Sequence, residues 1–116
     1  MGFKQLRVWQ EGMDLVDEIY TITKRKGLAG DFDLRKQIIR AAVSIPANIA
    51  EGDELHTNKQ AVKHFYIARG SAAELRTHIS IARRQGYIPE DIETSLDEKL
   101  KKISGMLYKL IKAREK

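Results

Sequence analysis

The stretch KQAVKHFYIARGSAAELRTHISIARRQ, from Lys59 to Gln85, decides the fold. Ala61, Phe65, Ala68, Ala72, Leu75, Ile79 and Ala82 are spaced alternately by four and three, the repeat of helices that pack at a shallow left-handed angle. Phe65, Tyr66, Ile67 and Ala68 are consecutive and point in all directions around the axis, so this helix needs covering on more than one side. Gly70 costs about 1 kcal/mol against alanine in a helix interior. With Ala68, Ser71, Ala72 and Ala73 it forms a small-residue patch that another helix can approach closely. That helix belongs either to the same chain or to a second subunit, and in the second case Tyr66, Gly70 and Ser71 are the interface.

Upstream, Leu34, Ile38, Ala41, Ile45 and Ile49 form a helical stripe, with Ile39, Ala42, Val43 and Ala50 beside it. Pro46 falls inside this pattern, where it removes a backbone donor and presses on the preceding turn. Ser44, Pro46, Asn48, Glu51 and Gly52 are read as one structural motif, a kink that places Asn48 and Glu51 and leaves groups that Glu51 can bond. This helix begins at an Asp31 or Asp33 cap and ends near Gly52. Asp53 to Asn58, including His56, reads as a connection, with Thr57 or Asn58 as the next cap.

A first helix is expected over about Lys4 to Lys26. Leu6, Trp9, Met13, Val16, Tyr20 and Thr23 make one stripe and Val8, Gly12, Leu15, Ile19 and Ile22 another, with Gly27 and Gly30 as the stop. Gly86 closes the Lys59–Gln85 helix and Pro89 opens the last, whose buried stripe is Ile92, Leu96, Leu100, Ile103, Leu107 and Leu110. Acids in its first turn and cations at its end suit the helix dipole. Four helices with three short connections predict a single all-α domain over residues 1–116, an up-down antiparallel four-helix bundle.

The composition is that of a helical globular domain: 42% hydrophobic, 32% charged, two prolines and no cysteine among 116 residues. No disulfide, thiolate metal site or cysteine nucleophile can form. The first ten residues lack the apolar core of a signal peptide, and no apolar run approaches the ~20 residues of a membrane span, so a cytoplasmic protein without a membrane partner is expected. An amphipathic last helix lying on an anionic membrane is disfavoured, because its lysines cluster at the end rather than along the polar face. The net charge of +5 favours an anionic partner.

Catalytic patterns are missing: there is no glycine-rich phosphate loop, nucleophile elbow or His-Glu-x-x-His. Glu74 and His78 stand at i and i+4, once only, and His64 lies ~21 Å of helix from His78, too far to share a metal. No cofactor is expected, and the chain is read as a non-enzyme. The basic residues carry more. Arg69, Arg76 and Arg83 recur every seven residues and make one row, joined by Arg84 and Lys63. Such a row can meet successive phosphates, with Tyr66 beside it to stack on a base, or it can pair with acids of neighbouring helices. Arg35, Lys36 and Arg40 form a second basic group.

Several short runs occur in order along almost the whole chain: Val8-Trp9-Gln10, Ala41 to Pro46, Asn48-Ile49-Ala50-Glu51-Gly52, Ile67 to Ser71 with Glu74-Leu75, and Gly86-Tyr87-Ile88. In these the chain resembles the four-helix-bundle proteins encoded by intervening sequences of bacterial large-subunit ribosomal RNA genes. The resemblance implies an up-down bundle that closes into a ring of five subunits. A related group, the accessory variability proteins of diversity-generating retroelements, binds structured RNA and a reverse transcriptase through basic surfaces. Two departures stand out. Asp53-Glu54-Leu55 follows Glu51-Gly52 where relatives carry a basic residue, and Arg76 stands where an acid is common. The expectation is a homopentameric RNA-binding ring using Arg69, Arg76, Arg83, Arg84, Lys63 and Arg40, with a reverse transcriptase or ribosomal RNA as possible partners. The alternative is a homo-oligomeric protein scaffold that binds no nucleic acid.

Overall fold

Helix-forming residues dominate the chain, and helices account for nearly all of it. The computed structural model describes residues 2–55 and 57–115, and His56, expected in a loop, lies outside them. Among the described residues there is a 3-10 turn, Phe3–Gln5, followed by α1 (Arg7–Ile22), α2 (Lys26–Gly30), α3 (Phe32–Glu54), α4 (Asn58–Arg84) and α5 (Glu90–Arg114), and no strand. The protein is all-α.

The helix ends follow local chemistry. Asp31, rather than Asp33, caps α3 by accepting from the backbone N–H of Leu34 at 3.2 Å. Thr57, rather than Asn58, caps α4 through Gln60 N–H, also at 3.2 Å. Gly86 has φ +79°, the left-handed conformation that closes a helix, with Tyr87 N–H bonded to Ala82 O at 2.9 Å and Gly86 N–H to Arg83 O at 2.9 Å. Pro89 flanks the start of α5.

Two expected boundaries are corrected. The first helix does not run from Lys4 to Lys26. Leu6 is extended, and α1 stops where the Thr23 hydroxyl donates to Tyr20 O at 2.9 Å and Arg25 turns extended. The chain then forms α2, whose Leu28 is fully buried, so Gly27 and Gly30 lie inside a short helix instead of ending a long one. At Gly27 an added Cβ would sit 2.5 Å from the Tyr87 ring, a close approach that only glycine allows. The second correction is at Asp53 and Glu54, which continue α3 rather than opening a loop.

The long helices pack in a cycle: α1 on α3, α3 on α4, α4 on α5 and α5 on α1. Contacts between neighbours run in opposite chain directions. Arg40 meets Glu74 and Ser44 meets Ser71, while Arg83 meets Glu90 and Arg76 meets Asp97. The expected stripes of α4 and α5 are buried, as are Ile38, Ala41, Ile45 and Ile49 of α3. On α1 the stripe of Val8, Gly12, Leu15, Ile19 and Ile22 is the buried one, while Met13 and Tyr20 of the other are exposed. Gly12 is the reason for the choice, since an added Cβ there would touch the Pro46 ring at 3.5 Å. Pro46 is therefore a buried packing element inside a continuous α3.

Gly52 and Gly105 should respond oppositely to alanine. At Gly52 a Cβ would stand 2.7 Å from Phe65 Cε1 and 3.1 Å from Ala61 O, and that backbone oxygen cannot yield. At Gly105 nothing lies within 4 Å. Gly52→Ala should lose about 1–3 kcal/mol and Gly105→Ala gain up to about 1 kcal/mol, read from urea unfolding midpoints.

Candidate nucleic-acid interface

The seven-residue arginine row of α4 faces α5. Arg83 Nη2 lies 3.2 Å from Glu90 Oε2 and its Nε 3.7 Å from Glu93 Oε1. Arg76 Nε donates to Asp97 Oδ1 at 2.6 Å, with Nη2 3.4 Å from Oδ2, and Lys101 adds a contact to the same carboxylate at 3.3 Å. The Arg76 guanidinium holds the Asp97 carboxyl below the ordinary aspartate value. Arg69 closes the series on a neutral partner, donating to Ser104 Oγ at 3.3 Å. Glu90, Asp97 and Ser104 repeat every seven residues like the arginines they meet. The row is an interhelix ladder, and the matching period on α5 was a signal available in the sequence.

At its Arg69 end the ladder changes character. The Arg69 guanidinium lies over the Tyr108 ring at 5.5 Å, and Lys112 Nζ lies over the same ring at 5.4 Å. Tyr108 and Tyr66 are 49% and 48% exposed, and the Tyr66 hydroxyl is near enough to Lys112 to act on its charge. Lys63, one turn before Tyr66 on α4, makes no ion pair with a described residue. Glu115 pairs with Lys112 at 3.3 Å and raises its pKa, so the ammonium stays charged. Two exposed phenol rings thus sit among three cations, with one carboxylate at the edge. Tyr108 and Lys112 were missed in the sequence, because only the fold brings α5 beside Tyr66.

The remaining expected residues lie elsewhere. Arg84, at the end of α4, is exposed. Arg40, on α3, donates to Glu74 Oε2 at 2.6 Å and to Gln37 Oε1 at 2.7 Å, and its guanidinium lowers the Glu74 pKa. Glu74 also lies 3.4 Å from His78 Nε2, so the one Glu/His pair of α4 already holds a guanidinium. Among the described residues, no three histidines, cysteines or carboxylates converge as a metal site.

Ser44, Asn48, Glu51 and Ser71 belong to a polar seam between α3 and α4. The Asn48 amide donates to Ser44 O at 2.9 Å and Ser44 Oγ at 3.0 Å, which turns its Oδ1 toward His64 Nδ1 at 3.0 Å. Ser44 and Ser71 hydroxyls are 2.8 Å apart. Glu51 faces His64 Nε2 at 3.8 Å and not a backbone group near Pro46. Ser71 is buried in this seam, whereas Gly70 and Tyr66 lie open on the surface.

The fold and this flank define a small all-α protein with a basic, tyrosine-bearing surface. The chain belongs to the 23S rRNA-intervening sequence protein family, whose model matches residues 4–109. It also shares its fold with a crystal structure of a protein of unknown function from the S23 ribosomal protein family of Bacteroides thetaiotaomicron. The two are 24% identical over 90% of this chain and 95% of that one, with a TM-score of 0.82. No curated protein is measurably similar. Among the described residues, no helix is long and apolar enough to cross a membrane.

The Arg76–Asp97 pair makes a pH prediction. A carboxylate with a depressed folded pKa stabilises fully above its unfolded value, ordinarily 3.8, and that stability is lost as pH falls through the folded value. Asp97→Asn should cost up to about 1 kcal/mol at pH 7 for this partly exposed pair. The difference from wild type should close between about pH 5 and pH 2, followed by thermal melting.

Proposed function

We propose that the protein is a non-enzymatic, structured-RNA-binding helical bundle that works as a homo-oligomeric ring. The four long helices are read as the up-down antiparallel bundle, and the family resemblance supplies five as the subunit number. The observation that carries the RNA reading is the cluster of Lys63, Tyr66, Arg69, Tyr108 and Lys112. Cations beside exposed aromatic rings are what an unpaired base and its phosphates require, since the ring stacks on the base while the cations meet the backbone. Arg76, Arg83 and Arg40 are held by carboxylates, so they add potential from behind rather than first contacts, and Arg84 extends the basic surface at the far end of α4. Repetition around a ring multiplies contacts that are individually modest. The resemblance to retroelement accessory proteins makes a reverse transcriptase the protein partner to try first, and a cytoplasmic location goes with this reading.

A second reading, a protein scaffold without RNA binding, is favoured by exposed apolar side chains on α3 and α4, led by Phe32, Val43 and Ile67.

The test is fluorescence anisotropy of a labelled structured RNA across a salt series. Wild type should bind with an affinity that falls steeply as salt rises. Tyr66→Ala and Tyr108→Ala should each weaken binding about 5- to 100-fold, as loss of one stacking platform does. Arg69→Glu with Lys112→Glu should abolish it and leave the oligomer intact. Unchanged affinity in that double variant would overturn the RNA assignment and leave the scaffold.

A further inference from the structure

The N-terminal half of α3 has an unusual outer side. Phe32 is 74% exposed, and from it a groove of about 780 Å³ runs along Lys36, Ile39 and Val43 toward the α4 seam. Arg35 and Lys36 line the groove and make no ion pair with a described residue. An exposed phenylalanine beside unpaired cations is a surface in want of an acidic partner with an apolar pocket.

Such a partner surface exists on the same molecule. Between α1 and α5 lies a cleft of about 370 Å³ lined by Ile22, Ile92 and Leu96, with Glu18 and Asp91 at its edges. Glu98 continues the acidic rim along α5. Glu18 is held by Lys99, but Asp91 and Glu98 make no ion pair with a described residue. Since the helices pack in the cycle α1, α3, α4, α5, the α1/α5 side is opposite the α3/α4 side.

The two surfaces also stand at the same height. The Arg40–Glu74 contact sets α3 against α4, and the Arg83–Glu90 contact sets α4 against α5. Carried through both, these contacts place Phe32 level with Asp91 and Lys36 level with Ser95, midway between Asp91 and Glu98. Both α3 and α5 run antiparallel to α4, so the order of residues along the two surfaces is the same.

We propose that the α3 groove is one half of a head-to-tail interface with a second copy of this chain. Phe32 of one subunit seats in the α1/α5 cleft of the next, and Lys36 with Arg35 meets Asp91 and Glu98. A like-with-like contact would set cations against cations, which complementary surfaces avoid. Because donor and acceptor surfaces lie at one height, successive copies add without climbing, so the chain of contacts closes into a ring rather than growing as a helical filament. One side of the molecule, 45 Å long and about 21 Å wide, has room for the roughly 800 Å² per partner of a stable interface. This rests on the oligomeric reading proposed above and uses none of the RNA-facing cluster.

Charge exchange tests it, with mass read by sedimentation at moderate salt. Variant A carries Arg35→Glu and Lys36→Glu, and variant B carries Asp91→Lys and Glu98→Lys, all at surface positions. Wild type should be oligomeric. A and B should each fall to monomers, with at least a hundredfold rise in dissociation constant. An equimolar mixture of A and B should reassemble, as should a chain carrying all four changes. Phe32→Ala should weaken the wild-type assembly. If wild type is oligomeric and A and B remain so, or if the mixture stays monomeric, the interface lies elsewhere and this inference fails while the oligomeric reading stands. A wild type that is monomeric throughout overturns both and leaves the groove to another protein.

Discussion

Phe65 is the point on which three helices agree. Its ring is fully buried, rests on the bare backbone of Gly52 in α3, and carries the guanidinium of Arg114 from α5 at 5.6 Å on the ring. Arg114 in turn bonds Asp53, next to Gly52, at 3.1 Å. The ring is thus clamped between a position where no side chain is allowed and an ion pair that ties α3 to α5. A β-carbon at 52 would lift α3 away from α4, and the Asp53–Arg114 pair would lose its geometry at the same time.

The two sides of α4 are chemically unlike, and each does something the other cannot. Toward α5 the contacts are ionic and repeat every seven residues, so sliding by one heptad would bring Arg76 to Glu90 and Arg69 to Asp97 with fresh pairs formed. A periodic ladder is tolerant of slips. Toward α3 the contacts do not repeat: a serine pair, an asparagine–histidine bond and a phenylalanine on a glycine occur once each. Satisfying these buried and half-buried polar groups requires one alignment, because a displaced partner leaves a donor or acceptor unmet. The polar seam and Gly52 therefore fix the register that the ladder only reinforces.

Much of this was legible in the chain. Periodicity identified the four long helices, and cap chemistry placed their ends within a few residues, because both are local. The family run from Ser44 to Gly52 stood out as a unit, and its residues do act together. The break at Thr23 to Arg25 was not legible, since it depends on burying Leu28 and on Tyr87 crossing Gly27, a contact between distant segments. The choice between two adjacent stripes on α1 was decided by Pro46 needing a glycine opposite. The arginine row was read correctly as a row. Its direction was not, because the complementary heptad of Glu90, Asp97 and Ser104 was read as part of a helix dipole pattern and not as a partner.

Asp31 has two oxygens and two obligations. One accepts from Leu34 N–H and starts α3, and the other accepts from the Tyr87 hydroxyl at 3.0 Å, across 56 positions of sequence. The same bond raises the tyrosine pKa, so the phenol stays a donor. A cap that is merely local can form in an otherwise unfolded chain and fray without consequence. This one is completed by the turn between the last two helices, so nucleating α3 and docking the far hairpin draw on one carboxylate. Secondary and tertiary structure at that end of the molecule are then a single cooperative event, gained or lost together.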